Sequence, residues 1–254
     1  MLLAVDVGNT NTVFGLFQGP DLRRQWRVRT DIHATGDELG MFMTYAFSGM
    51  GLTFHEVSQI AVSNVVPPME PVLGRFFREF FTPEPLWIRP ETFSGMPIQY
   101  AVPSQVGADR LVNAYAGFQK YKTGLIVIDL GTATTFDVVS EAGEYLGGAI
   151  CPGIRTAMEG LYAHAPRLPR IRIEDVPEKV VGTDSVGNLQ SGILFGYAGL
   201  VEGMVDRIRG EIGGSLKVLA TGGLGSIMVK VCRTLETLEP DLTLQGIRLI
   251  AQRV

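Results

Sequence analysis

One short pattern occurs twice in this chain, and it constrains the fold more than any other feature. The first copy is Asp6-Val7-Gly8-Asn9-Thr10-Asn11-Thr12 and the second is Asp129-Leu130-Gly131-Thr132-Ala133-Thr134-Thr135. Four apolar residues precede each aspartate, Leu2 to Val5 and Leu125 to Ile128. The two aspartates stand 123 positions apart in a chain of 254, close to half its length. Aligned from the aspartates, the copies share Asp, Gly and a seventh-position Thr, Thr12 and Thr135. A buried strand that ends in a polar, glycine-containing turn is therefore expected twice, and the chain reads as two related halves.

At 254 residues the chain is long enough to bury roughly 70–75% of its unfolded surface. Its 46% hydrophobic and 19% charged content is that of an ordinary folded protein rather than a disordered one. The net charge of −4 gives no electrostatic footprint for nucleic acid. Arg23, Arg24, Arg27 and Arg29 read as a solvated strand face. Two cysteines, Cys151 and Cys232, have no ligand spacing and suit a reducing compartment. Asp6 interrupts the first apolar run, so no signal peptide is read. No run reaches the ~20 apolar residues of a membrane helix. A soluble, cytoplasmic protein is expected.

Periodicity predicts strands at 2–5, 12–17 and 22–29, with a turn at Gln18-Gly19-Pro20-Asp21. Thr35-Gly36-Asp37-Glu38 is a capping box for a helix with Leu39, Phe42, Met43, Ala46, Phe47 and Met50 on one face. A strand at 59–63, a helix at 70–81 and a strand at 86–88 complete the first half. In the second, a helix at 109–121 precedes strands at 125–129, 134–140 and 144–150. A long helix at 184–209, a strand at 216–220 and helices near 225–232 and 243–252 follow. The domains are set at 1–115 and 116–254.

The loop at 6–12 can bind an anion. Gly8 lets the backbone approach closely, successive N–H groups form a concavity, and Thr10, Asn11 and Thr12 add donors. The strand-end aspartate would hold a cation against the phosphates. An ordinary hairpin turn is the competing reading, and the second copy weighs against it. P-loop and dinucleotide signatures, zinc protease and serine hydrolase motifs are all missing. Gly107-Ala108-Asp109-Arg110 is the candidate acid–base site, at a helix N-terminus that favours anions. Asp109 could accept a hydroxyl proton and Arg110 could pair with a carboxylate substrate. The alternative is a capping aspartate beside a solvated arginine. Asp137 is the competing acid and is expected at the surface. Gly147-Gly148-Ala149-Ile150-Cys151-Pro152-Gly153 reads as a tight stretch between a strand and a helix, near a ligand or merely structural. Thr221-Gly222-Gly223 could lie against an adenine or form a strand-to-helix turn.

Together these segments, with Ser63-Asn64-Val65-Val66-Pro67 and Leu168-Pro169, resemble the type III pantothenate kinases of the acetate and sugar kinase/Hsp70/actin superfamily. The resemblance spans essentially the whole chain. It implies an α/β fold of two related ribonuclease H-like domains, mixed sheets flanked by helices, with ATP in the cleft between them. The implied activity is ATP-dependent phosphorylation of pantothenate to 4′-phosphopantothenate, the first step of coenzyme A synthesis. In the roles so implied, Asp109 is the proton acceptor, and Asp6, Val7, Gly8, Asn9, Thr10, Asn11, Thr12, Val13 and Thr132 contact ATP. Tyr100, Gly107, Ala108, Asp109, Arg110 and Ser185 bind pantothenate. Asp129 helps hold a monovalent cation, K+ or NH4+, while Mg2+ accompanies ATP. A homodimer with its substrate pocket at the interface is also implied. Ser185 stands where the family usually has threonine, with Asp184 before it. A kinase for another small anionic acceptor and a non-catalytic nucleotide-binding regulator are the alternatives.

Overall fold

A computed structural model describes residues 1–253. The backbone separates into two compact units. The first comprises residues 1–95, 101–116 and the chain from Thr243 onward; the second comprises 96–100 and 117–242.

In the first unit, β1 (Leu2–Val7), β2 (Asn11–Gln18) and β3 (Asp21–Arg29) form an antiparallel meander. Then come α1 (Gly36–Ser48), β4 (Gln59–Asn64), α2 (Met69–Phe80) and β5 (Pro85–Ile88). The sheet order is β3-β2-β1-β4-β5, with β4 and β5 parallel to β1. The capping box starts α1 as expected: Glu38 N–H donates to Thr35 Oγ1 at 3.2 Å and Thr35 N–H donates to Glu38 Oε2 at 2.7 Å. The core of this unit is dominated by aromatic rings. Phe14, Phe47, Phe76, Phe77 and Phe81 are buried between sheet and helices, and Phe76 meets Phe14 and Phe81 edge-on at 6.4 and 5.4 Å. Such edge-to-face geometry contributes beyond the area buried. The four arginines of β3 are all exposed, on the edge strand of the sheet.

Helix α3 (Ala108–Tyr121) begins in the first unit and ends in the second. The second unit repeats the meander with β6 (Leu125–Leu130), β7 (Ala133–Val139) and β8 (Tyr145–Pro152). Next are α4 (Ile154–His164), α5 (Ser185–Ile212), β9 (Lys217–Thr221), α6 (Gly225–Met228) and β10 (Thr237–Leu238). Helix α7 (Leu242–Ala251) closes the chain, and all but its first residue groups with the first unit. The second sheet runs β10-β9-β6-β7-β8, the same order as the first when read from the meander edge. Its core is mainly aliphatic, with Ile126, Ile128, Leu194, Val201 and Val218 buried beside Phe136.

The repeat is real, but its register differs from the one read in the sequence. Val7 faces Thr12 across the first turn, whereas Leu130 faces Thr134 across the second. The second turn is one residue shorter, so Thr134 occupies Thr12's place and Thr135 that of Val13. Both Thr12 and Thr134 are buried. Phe14 and Phe136 then match, opposite Val5 and Ile128, and Thr10 matches Thr132. Helix α6 is also shorter than expected, residues 229–231 being turn.

Candidate functional site

In the first unit, β1 delivers Asp6 and Val7 to the turn at Gly8-Asn9-Thr10, and β2 leads away with Asn11, Thr12 and Val13. Gly8 N–H donates to Asn11 O at 3.0 Å, closing the turn. Asn9 and Thr10 are exposed and Asp6 is partly buried. Val65, just beyond β4, donates its N–H to Val7 O at 3.1 Å. The same residue adjoins the start of α3: a Cβ on Gly107 would lie 3.6 Å from Val65 Cγ1. Val65 therefore bridges the glycine turn and the Gly107–Arg110 segment, two sequence motifs a hundred residues apart.

Gly107 precedes α3, and its carbonyl accepts the N–H of Leu111 at 3.3 Å. A Cβ there would stand 2.5 Å from Asp109 Oδ1, so a side chain at this position would displace the carboxylate from its present place. Asp109 lies in the first turn and accepts Arg110 N–H at 2.8 Å. This satisfies one of the amides that a helix start leaves without an intrahelical partner. Burial pushes the Asp109 carboxyl above the usual carboxylate range, against the opposing pull of the Arg110 amide and guanidinium. A carboxylate with a raised pKa is a better base. Arg110, for which a solvated position was one reading, is buried at 8% exposure. Burying a guanidinium is costly, and such groups concentrate at functional sites.

In the second unit, Asp129 is the penultimate residue of β6 and pairs with Thr221 of β9. Gly222 adopts a φ of +87°, and a Cβ there would come within 2.4 Å of Asp129 Oδ1 and 2.7 Å of Leu130 N. Gly222 is thus fixed by its left-handed φ and by the Leu130 backbone it must clear, whereas nothing lies within 4 Å of where a Cβ on Gly223 would stand. Thr132 is exposed at the tip of the second turn. Tyr100 is 37% exposed, and a Cβ on Gly147 would sit 3.3 Å from its ring. Its segment is tied to β8: Gln99 N–H donates to Tyr145 O and Tyr145 N–H to Pro97 O, both at 2.8 Å. Ser185 is the exposed first residue of α5. Asp184 caps that helix, accepting Gly187 N–H at 2.9 Å, so its carboxylate is already engaged.

Asp137 overturns the expectation of a surface residue, for it is fully buried. It accepts Tyr145 OH at 2.8 Å and Thr135 Oγ1–H at 3.1 Å. Strand alternation assigns it to an open face, but Tyr145, itself fully buried, covers that face. Among the described residues there is no cluster of three or more His, Cys, Asp or Glu side chains able to hold a metal on protein ligands alone. No described helix is long and apolar enough to cross a membrane.

The profile of the type III pantothenate kinase family matches residues 2–207. The chain belongs to that family. A type III pantothenate kinase of Desulfosudis oleivorans is 48% identical over 98% of both chains. One from an Anaeromyxobacter species is 47% identical over 100% of this chain and 99% of its own. Among solved structures, this pantothenate kinase shares its fold with component A of the (R)-2-hydroxyglutaryl-CoA dehydratase of Acidaminococcus fermentans, at a TM-score of 0.60 and 12% identity. That alignment covers 100% of this chain and 96% of the other. A ROK-family glucokinase of Streptomyces griseus aligns at 0.56 and 11% identity, covering 100% and 99%. These likenesses extend over both sheets, as the two-domain reading requires.

Proposed function

We propose that Asp109 is the proton acceptor, and Arg110 the substrate anchor, of an ATP-dependent pantothenate kinase. The reaction is the family's: the γ-phosphoryl group of ATP passes to the pantothenate hydroxyl, yielding 4′-phosphopantothenate and ADP for coenzyme A synthesis. The observation that carries the residue roles is the start of α3, where a buried guanidinium adjoins a carboxylate whose pKa burial raises. Arg110 pairs with the carboxylate of pantothenate, assisted by the backbone of Gly107 and Ala108. The distal hydroxyl then lies near Asp109, which takes its proton as the oxygen attacks phosphorus. Phosphoryl transfer asks mainly for positioning and charge neutralisation, which is the task of the two glycine turns. The first supplies Asp6, Val7, Gly8, Asn9, Thr10, Asn11, Thr12 and Val13 to ATP, and the second supplies Thr132.

Mg2+ bound with ATP and a monovalent cation held at Asp129, K+ or NH4+, would offset phosphate charge. A single carboxylate beside the tightly packed Gly222 turn offers hard oxygen donors of the kind such cations take. Tyr100 and Ser185 complete the pantothenate pocket, to which both copies of a cytoplasmic homodimer contribute.

The deciding assay is ADP release by purified protein with pantothenate, with and without potassium. Pantothenate-dependent release that potassium stimulates is the expected result. Release without pantothenate dependence removes the acceptor assignment, and indifference to potassium and ammonium removes the role of Asp129. Sedimentation equilibrium tests the dimer.

A further inference from the structure

Each glycine turn is held from behind by a hydroxyl to which nothing above assigns a role. In the first unit β3 ends at Arg29, and the next residue folds back on the turn. Thr30 N–H donates to Thr10 O at 3.0 Å. Its Oγ1 donates to Gly8 O at 2.6 Å and lies 2.9 Å from Thr12 Oγ1. In the second unit β8 ends at Pro152, and Gly153 N–H donates to Thr132 O at 3.1 Å. With Thr10 matched to Thr132, this is the same backbone bond. A side chain at Gly153 is impossible, since its Cβ would come within 2.3 Å of Thr132 O and 2.4 Å of Gly131 O. The hydroxyl arrives instead from the first turn of α4, where Thr156 Oγ1 donates to Thr132 O at 2.6 Å.

The two units thus place a threonine hydroxyl on a turn carbonyl by different routes, one at the strand end and one three residues further on. The carbonyls differ, Gly8 O in the first turn and Thr132 O, the counterpart of Thr10 O, in the second, so each turn is braced at its own peptide. The physical consequence lies in the peptide plane. A trans peptide fixes its C=O and N–H in opposite directions, so a donor that pins Gly8 O also sets where Asn9 N–H points. Pinning Thr132 O does the same for the peptide joining Thr132 to Ala133. Anion binding by a turn depends on such preset amides, and presetting spares the ordering cost on binding.

We infer that Thr30 and Thr156 are positioning residues for the nucleotide, each fixing one phosphate turn through its side-chain hydroxyl. The inference rests on the reading that both turns hold ATP. Its test is calorimetric titration of a non-hydrolysable ATP analogue with Mg2+ into wild type and into Thr30→Val, Thr30→Ser, Thr156→Val and Thr156→Ser. Steady-state KM values for ATP and pantothenate accompany it. Each valine variant should weaken analogue binding and raise the ATP KM about tenfold, the effect of one lost hydrogen bond. The pantothenate KM should stay within about twofold, and serine should restore nucleotide binding. Where a valine variant does not fold, Thr→Ala against Thr→Ser isolates the hydroxyl. Wild-type affinity in the valine or alanine variants overturns the inference, as does a parallel rise in both KM values. Wild type that binds the analogue yet does not phosphorylate pantothenate defeats the acceptor assignment alone, leaving the hydroxyls to be judged by the titrations. Wild type that binds no nucleotide overturns both.

Discussion

Asp109 and Asp137 show how one residue type meets two different surroundings. Asp137 holds two hydroxyls inside a sheet, whereas Asp109 has a helix amide, the neighbouring Arg110 and a raised pKa. Asp109→Asn should therefore fold and lose about 10²–10⁴ in kcat, measured as pantothenate-dependent ADP release. The linkage sign also follows. A carboxyl with a raised folded-state pKa binds more protons folded than unfolded across the window between its two pKa values. Stability falls as pH rises through that window. The Asn variant should lose this slope and melt above wild type at neutral pH, whereas a lower melting temperature would show the charge to be favourable. In wild type the acid limb of kcat/KM should fall at a higher pH than an ordinary aspartate gives. Tyr145→Phe leaves Asp137 one donor short, and urea melts should show a loss of about 1–3 kcal/mol. The place of Asp109 at the start of α3 was legible because its motif is local. That of Asp137 was not, because the Tyr145 that buries it lies on another strand and its approach leaves no periodic trace.

The elements were largely legible from apolar spacing. The capping box at Thr35 places the start of α1, and the meanders fall where alternation puts them. The short α6 was misread because a four-residue helix and a helical-looking turn carry the same pattern. Helix α5 is different: its length was read closely, yet it carries glycines at 187, 192, 196, 199, 203 and 210. At Gly192, Gly196 and Gly199 nothing lies within 4 Å of where a Cβ would stand. Glycine in a helix interior costs about 1 kcal/mol relative to alanine. Gly192→Ala and Gly196→Ala should each stabilise the chain by about 0.4–1 kcal/mol, read by differential scanning calorimetry. A loss of stability would mean that a partner surface occupies this face.

At the scale of the whole molecule, the two units are not two consecutive stretches of chain. Residues 96–100 join the second unit, and nearly all of α7 joins the first. Amphipathic spacing tells that a helix buries one face but not which sheet receives it, so this exchange could not be read ahead. The fold class could, because both halves carry the same motif at the same strand end. A nucleotide that engages only the folded chain should raise its unfolding free energy by about 2.7 kcal/mol at a hundredfold excess over Kd. Thermal melts with Mg2+ and an ATP analogue test this, and an unmoved transition would deny nucleotide binding. The shorter second turn has a consequence for descent. If one ancestral segment was copied, a residue was dropped or gained in one copy where it did least harm. In an extended strand the same change would have reversed every side chain beyond it. Comparison of the two copies must open a gap at Asn9, after which Thr10 falls on Thr132, Thr12 on Thr134 and Phe14 on Phe136. A gene-conversion event that ignored the gap would carry one copy's core residues onto the wrong face of the other's sheet.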